Sequence, residues 1–144
     1  MRGPVRTLFT AWLALSAIAG AVPCRAEVVV VVSRENPLSA LPRDHLEDLF
    51  LGRSDRFPDG EPAIPLDLSE RLPPYSAFYE RYLGRTPPQM RAHWSRLIFT
   101  GRGRPPRSLA SSREMADAVA ADPRALGYLP ASEIDDRLRV VVVE

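Results

Sequence analysis

The sequence predicts an α/β protein in which a mostly parallel sheet is flanked by helices, and three observations carry that reading. Val28 to Val32 is an unbroken β-branched run with no polar alternation, the pattern of a strand buried on both faces of a parallel sheet. Leu138 to Val143 repeats that character at the other end of the chain. Between the two runs apolar residues recur at helical spacing, so the chain alternates strands with helices, and such alternation packs as a layered α/β fold.

The elements follow in order. Leu46, Leu49 and Phe50 share a helical face after Pro42, and Gly52 stands where a left-handed cap would end a helix of about nine residues. Asp59-Gly60 marks a turn. Ala63 to Leu68 reads as a second strand, with Pro65 requiring an edge position or an irregular start. Tyr75, Phe78, Tyr79, Tyr82 and Leu83 form the most periodic stretch, an amphipathic helix closed by Gly84. Met90, Trp94, Leu97 and Ile98 define another after Pro87-Pro88, and the spacing of both aromatic sets is that of core packing. Gly101 to Arg107, with two glycines and two prolines, is a loop. Ser111 with Glu114 fits a capping box and Ala110 with Met115 its hydrophobic staple, opening a helix that Asp122-Pro123 stops. Leu126 to Leu129 is a short strand before the last one.

The amino terminus sets the expected address. Arg2 and Arg6 precede an apolar run from Leu8 to Val22, shorter than the ~20 residues of a membrane-spanning helix, and Cys24-Arg25-Ala26 places small residues before a cleavage point after Ala26. Residues 1–26 therefore read as a secretory signal peptide and 27–144 as the exported domain, with a periplasmic location. An acylated cysteine would need a small-residue lipobox, whereas Ala21-Val22-Pro23 precedes Cys24. Removal of the segment leaves 118 of the 144 residues and takes the only cysteine, so the domain must rely on its core. It also removes three arginines, changing a net charge of +1 to −2, with 16 arginines against 18 acidic residues and no lysine. A near-neutral domain has no general attraction to nucleic acid or anionic lipid. Arginine, whose planar fork can grip two oxygens, does suit oxyanions.

Catalytic signatures are missing from the pattern. His45 and His93 lie on separate helices without metal-ligand spacing, and there is no Gly-x-Ser-x-Gly elbow, cysteine nucleophile or phosphate-cradling glycine loop. Binding, with neither metal nor cofactor, is the expectation.

Four separated motifs, Asp48-Leu49-Phe50-Leu51-Gly52-Arg53, Phe57-Pro58-Asp59-Gly60, Trp94 to Gly103 and Gly127-Tyr128, together resemble small bacterial proteins of the phosphate ABC transporter substrate-binding type. The resemblance covers nearly all of residues 27–144. It implies the type 2 periplasmic-binding-protein fold, here a single lobe, with a small anion such as phosphate as ligand and a membrane transporter or envelope receptor as partner. Two departures stand out. The chain is about half the length of the two-lobed binders, and its Asp67 to Ser76 stretch lacks the glycine and threonine of their anion loop.

Ligands of open α/β sheets bind beyond the carboxyl ends of the strands. That rule selects Ser69, Arg71 and Ser76, beside a helix start near Pro73 whose free amides would face an oxyanion. It adds Ser33 and Arg34 after the first strand. Each has a plainer explanation: Ser69 as a helix cap, Arg71 as a solvated side chain, Ser33 and Arg34 as an ordinary strand exit. Arg102, Arg104 and Arg107 concentrate charge in one loop, either a docking surface for an anion or protein or a solvated turn.

Overall fold

The computed structural model describes residues 27–144; the segment 1–26, read above as a signal peptide, lies outside the described residues. Six strands, β1 (Val28–Ser33), β2 (Ala40–Leu41), β3 (Ile64–Leu68), β4 (Arg107–Leu109), β5 (Ala125–Pro130) and β6 (Leu138–Val143), form one sheet in the order β2-β6-β1-β5-β3-β4. Four α-helices flank it: α1 (Arg43–Phe50), α2 (Pro73–Phe78), α3 (Pro87–Phe99) and α4 (Ser112–Ala121). None of the described helices is long and apolar enough to cross a membrane.

Five strands run one way and β1 runs the other. It pairs antiparallel with β5 (Val30 opposite Tyr128) and with β6 (Val30 opposite Val141), while β2–β6, β3–β5 and β3–β4 are parallel. Its valine run does signal burial, since Val30, Val31 and Val32 are fully buried. Hydropathy carries no information on direction, because a strand covered on both faces looks the same whichever way it points.

The two faces are covered by different helices. Tyr128 turns toward α1 and α2, stacking on Phe78 with ring centroids 3.9 Å apart and approaching Phe50 at 6.1 Å. The next residue along β5, Gly127, faces α4, because side chains alternate along a strand. A Cβ at Gly127 would run into Met115 Sδ and stand 3.1 Å from Val119 Cγ2, so the missing side chain is what lets α4 lie directly on the sheet. The aromatic stripe packs as its spacing predicts, with Tyr75, Phe78, Tyr79 and Tyr82 all in the core.

Four local readings are refined. Pro65 does not mark an edge: β3 lies between β5 and β4, and of the two options the chain takes the irregular start. Pro65 is the last residue paired with β5, and the β4 ladder begins one residue later at Leu66, so the missing N–H interrupts neither run. The helix from Tyr75 to Leu83 is α2 followed by a π-helical turn, Tyr79–Leu83, capped by Gly84 at φ 62°. The Ser111 hydroxyl accepts from Glu114 N as expected, but the Glu114 carboxylate accepts from Ala110 N instead of Ser111 N, so the reciprocal half of the box is displaced by one residue. Arg107, placed at the end of the Gly101 to Arg107 loop, instead opens the short edge strand β4 (Arg107–Leu109).

The close approach at Gly127 is testable. Gly127→Val should destabilise the fold by about 1–3 kcal/mol, the usual cost of overpacking, read as a lowered urea midpoint with an unchanged denaturant slope.

Candidate functional site

The parallel strands define one rim where β3, β5 and β6 end, at Leu68, Pro130 and Val143. Ser69 sits there: its N–H donates to Leu109 O (2.9 Å) at the end of β4, which holds the β3 exit beside the loop entering α4. Arg71 follows, exposed, with no partner for its guanidinium among the described residues. These two positions are where the strand-end rule placed them.

Ser33 and Arg34 are elsewhere. Ser33 pairs with Leu138, the first residue of β6, and so occupies the opposite end of the sheet from Ser69. Its side chain is buried and its hydroxyl accepts from Glu35 N (3.3 Å), while Arg34 donates to Asp136 O (3.0 Å). The cause is the reversal of β1: the carboxyl end of an antiparallel strand points away from the rim its neighbours share.

The helix-terminus reading of α2 also changes. Pro73 and Pro74 occupy its first two positions and carry no N–H, and Tyr75 N, the third, donates to Leu72 O (3.0 Å). The Ser76 hydroxyl bonds back to Pro73 O (3.3 Å). Neither amides nor that hydroxyl are offered to a ligand here. The better-furnished helix start is α4, one strand over. Ser111 caps Glu114 N, leaving the amides of Ser112 and Arg113 without intrahelical acceptors. Ser112 and Arg113 line a cleft of about 670 Å³ that reaches from Leu72 to Arg137. Arg137 is already saturated, at 3.0 Å from Asp117 and 2.7 Å from Asp135, and its hydrogen bonds hold the Asp135 carboxyl below the usual range. Glu133 also lines the cleft, so attraction for an anion is confined to the part nearest Arg113, whose guanidinium has no partner among the described residues. Ser112 and Arg113 escaped the sequence reading because β4 is only three residues long, and an unrecognised strand leaves its exit loop unplaced.

Beneath the rim lies a buried acid. Asp67, the penultimate residue of β3, is 7% exposed. It accepts from Tyr79 Oη at 2.6 Å, from Tyr128 Oη, and from Leu68 N at 2.9 Å. Burial raises its pKa above 3.8, and the bonds from Tyr128, Tyr79 and Leu68 pull the other way without overcoming it. Burial, with Asp67 alongside, raises both tyrosines well above 10, which keeps them protonated donors. The network joins β3, β5 and the π-helical turn after α2, and so fixes the backbone from which Ser69 and Arg71 depart.

The two histidines are structural. His45 Nε2 donates to Arg56 O at 2.7 Å and His93 Nε2 to Leu51 O at 3.0 Å. No cluster of three metal-ligating side chains occurs among the described residues.

This α/β architecture is similar in fold to part of several larger solved structures. No family model matches the sequence, and no curated protein does. Among solved structures the chain is similar to an ABC-type phosphate transport receptor from Vibrio cholerae, at 14% identity and a TM-score of 0.63 over 81% of this chain and 45% of that one. It is equally similar to a putative phosphate ABC transporter substrate-binding protein with bound phosphate from Clostridium perfringens, at 16% identity and a TM-score of 0.63 over 81% and 44%. PstS from Borrelia burgdorferi matches at 12% identity and a TM-score of 0.61 over 81% and 47%. At such identities the likeness is one of fold, and the chain spans somewhat under half the length of these neighbours.

Two outcomes test the buried network. Tyr128→Phe leaves one Asp67 oxygen with the Leu68 amide alone and should cost about 1–3 kcal/mol in chemical denaturation. Because Asp67 titrates higher folded than unfolded, its contribution is full below about pH 3.8 and is lost as pH rises through the folded value. Asp67→Asn removes that dependence, so the variant should gain on the wild type between pH 4 and pH 7. A difference in urea midpoint moving the other way would show a carboxylate stabilised in its charged form.

Proposed function

We propose that the chain is an exported solute-binding-like protein that takes a small oxyanion, phosphate or a similar anion, at the rim where β3 and β4 end. The observation that carries this reading is the unpaired Arg71 guanidinium beside Ser69 at the exit of β3, on a fold shared with phosphate receptors. Ser112 and Arg113 join them from the first turn of α4. Arginine offers a fork for two oxygens, and the α4 amides add neutral donors at the positive end of its dipole. Ser76, Ser33 and Arg34 drop out of the proposed contacts.

Such a rim binds without catalysing. It is open to solvent on one side, so affinity is modest unless a second wall closes over the anion. The bound anion would be passed to a membrane transporter or presented to an envelope receptor. The prolines that open α2 and the internally bonded Ser76 favour one other reading, an interaction or sensory module that keeps the fold without a ligand.

A thermal-shift titration separates the two. At ~100 times the dissociation constant, phosphate or sulfate should add roughly 2.7 kcal/mol to stability. Arg71→Ala and Arg113→Ala should each weaken the anion dependence by about tenfold or more, as expected for loss of a charge-assisted bond. No shift with either anion at tens of millimolar would favour the ligand-free module.

A further inference from the structure

A net charge near zero conceals a strong segregation along the chain. Between Glu80 and Glu114 there are eight arginines and no acidic residue, while the rest of residues 27–144 holds eight arginines and all 18 acidic residues. Three of the eight are neutralised from outside the segment: Arg81 by Glu27 (3.1 Å), Arg85 by Glu47 (3.8 Å) and Arg91 by Glu70 (3.0 Å). Arg96, Arg102, Arg104 and Arg107 are exposed, and none has a side-chain partner among the described residues.

The same end carries the most exposed aromatic residue of the described fold. Phe99, the last residue of α3, is 92% exposed, and Ile98 before it is 56% exposed. The helix closes through Gly101 at φ 68° and an Arg102 N–H bond to Leu97 O (2.9 Å). Gly103 then lies back against Leu97 and Trp94, with its Cβ position 3.6 to 3.8 Å from their side chains. That return keeps Arg102 and Arg104 beside the helix end. The loop leads into the start of β4, the end of the sheet remote from Ser69.

From these observations we propose that the carboxyl end of α3 and its loop form a docking surface for an anionic phospholipid bilayer, with Ile98 and Phe99 entering the headgroup region and the arginines meeting lipid phosphates. A protein groove receives an apolar anchor into a concavity, and an acidic protein or nucleic acid would engage the arginines without needing Phe99. A protruding Phe-Ile tip ringed by unpaired cations fits a soft, negatively charged interface, which rewards apolar insertion and charge attraction together. Neither contribution is strong alone, so the association is reversible and salt-dependent. It leaves the Ser69 rim facing away from the lipid.

Vesicle co-sedimentation tests this, using protein with the same amino terminus in every variant so that any contribution of residues 1–26 cancels. The vesicles are phosphatidylcholine alone or phosphatidylcholine with about one quarter phosphatidylglycerol. Binding should require the anionic lipid and fall with salt. Arg96→Gln/Arg102→Gln/Arg104→Gln should weaken it roughly a hundredfold and Phe99→Ser roughly tenfold, with melting temperatures held near wild type because all four side chains are exposed. Free inorganic phosphate at fixed ionic strength should not compete. Equal binding to both vesicle types, or binding undiminished in the triple variant, would overturn the proposal. So would loss in the arginine variant with none in Phe99→Ser, since that pattern describes a general polyanion site with no bilayer insertion.

Discussion

The structure hangs on a carboxylate placed where it has no water. Asp67 sits almost fully buried at the end of β3, and its two oxygens are taken up by Tyr79, Tyr128 and the Leu68 amide. An isolated buried acid would be destabilising, and its two phenol partners are what make it tolerable. Because each partner comes from a different element, the acid also sets register. It ties the π-helical turn to β5 and both to β3, and the aromatic stack of Tyr128 on Phe78 closes the same unit from the side. The rim above inherits its rigidity from this knot, an arrangement in which a supporting network holds a site on fixed backbone.

The direction of β1 decides which residues can cooperate at that rim. With β1 reversed, its last residues lie at the foot of the sheet, and Ser33 and Arg34 are spent on the turn toward β6. The rim is instead composed from β3 and from the loop between β4 and α4. Charge is divided along the same axis. The rim carries Arg71 and Arg113 among acids such as Glu70, Asp117 and Glu133, whereas the arginines without acidic neighbours collect at the far end.

Much of this was legible from residue order alone. Valine runs marked both terminal strands, the i, i+3, i+4 spacing of the aromatics marked the core face of α2, and Gly52 and Gly84 marked helix ends, as their φ of 75° and 62° show. What stayed hidden shares one physical cause, dependence on a distant partner. Strand direction is set by which neighbour a strand meets, not by its own hydropathy. The three-residue β4 has too little pattern to read, yet it places Ser112 and Arg113 on the rim. Asp67 looks like a loop acid in one dimension, since nothing local announces two tyrosines 12 and 61 residues away. Pro73 and Pro74 are the exception: their lack of N–H groups was visible in the sequence, yet free amides were still assigned to that helix start.

The reversed central strand also bears on how the chain acquires its structure. Val30, among the first residues of the domain to be synthesised, finds its neighbours at Tyr128 and Val141, about a hundred positions later. Closing loops of that length is slow, and the sheet cannot be completed until the last twenty or so residues are free to join. Until then a five-valine run has both edges open, a template for unwanted strand pairing. With this connectivity the central strand stays without its two neighbours until both β5 and β6 are available to pair.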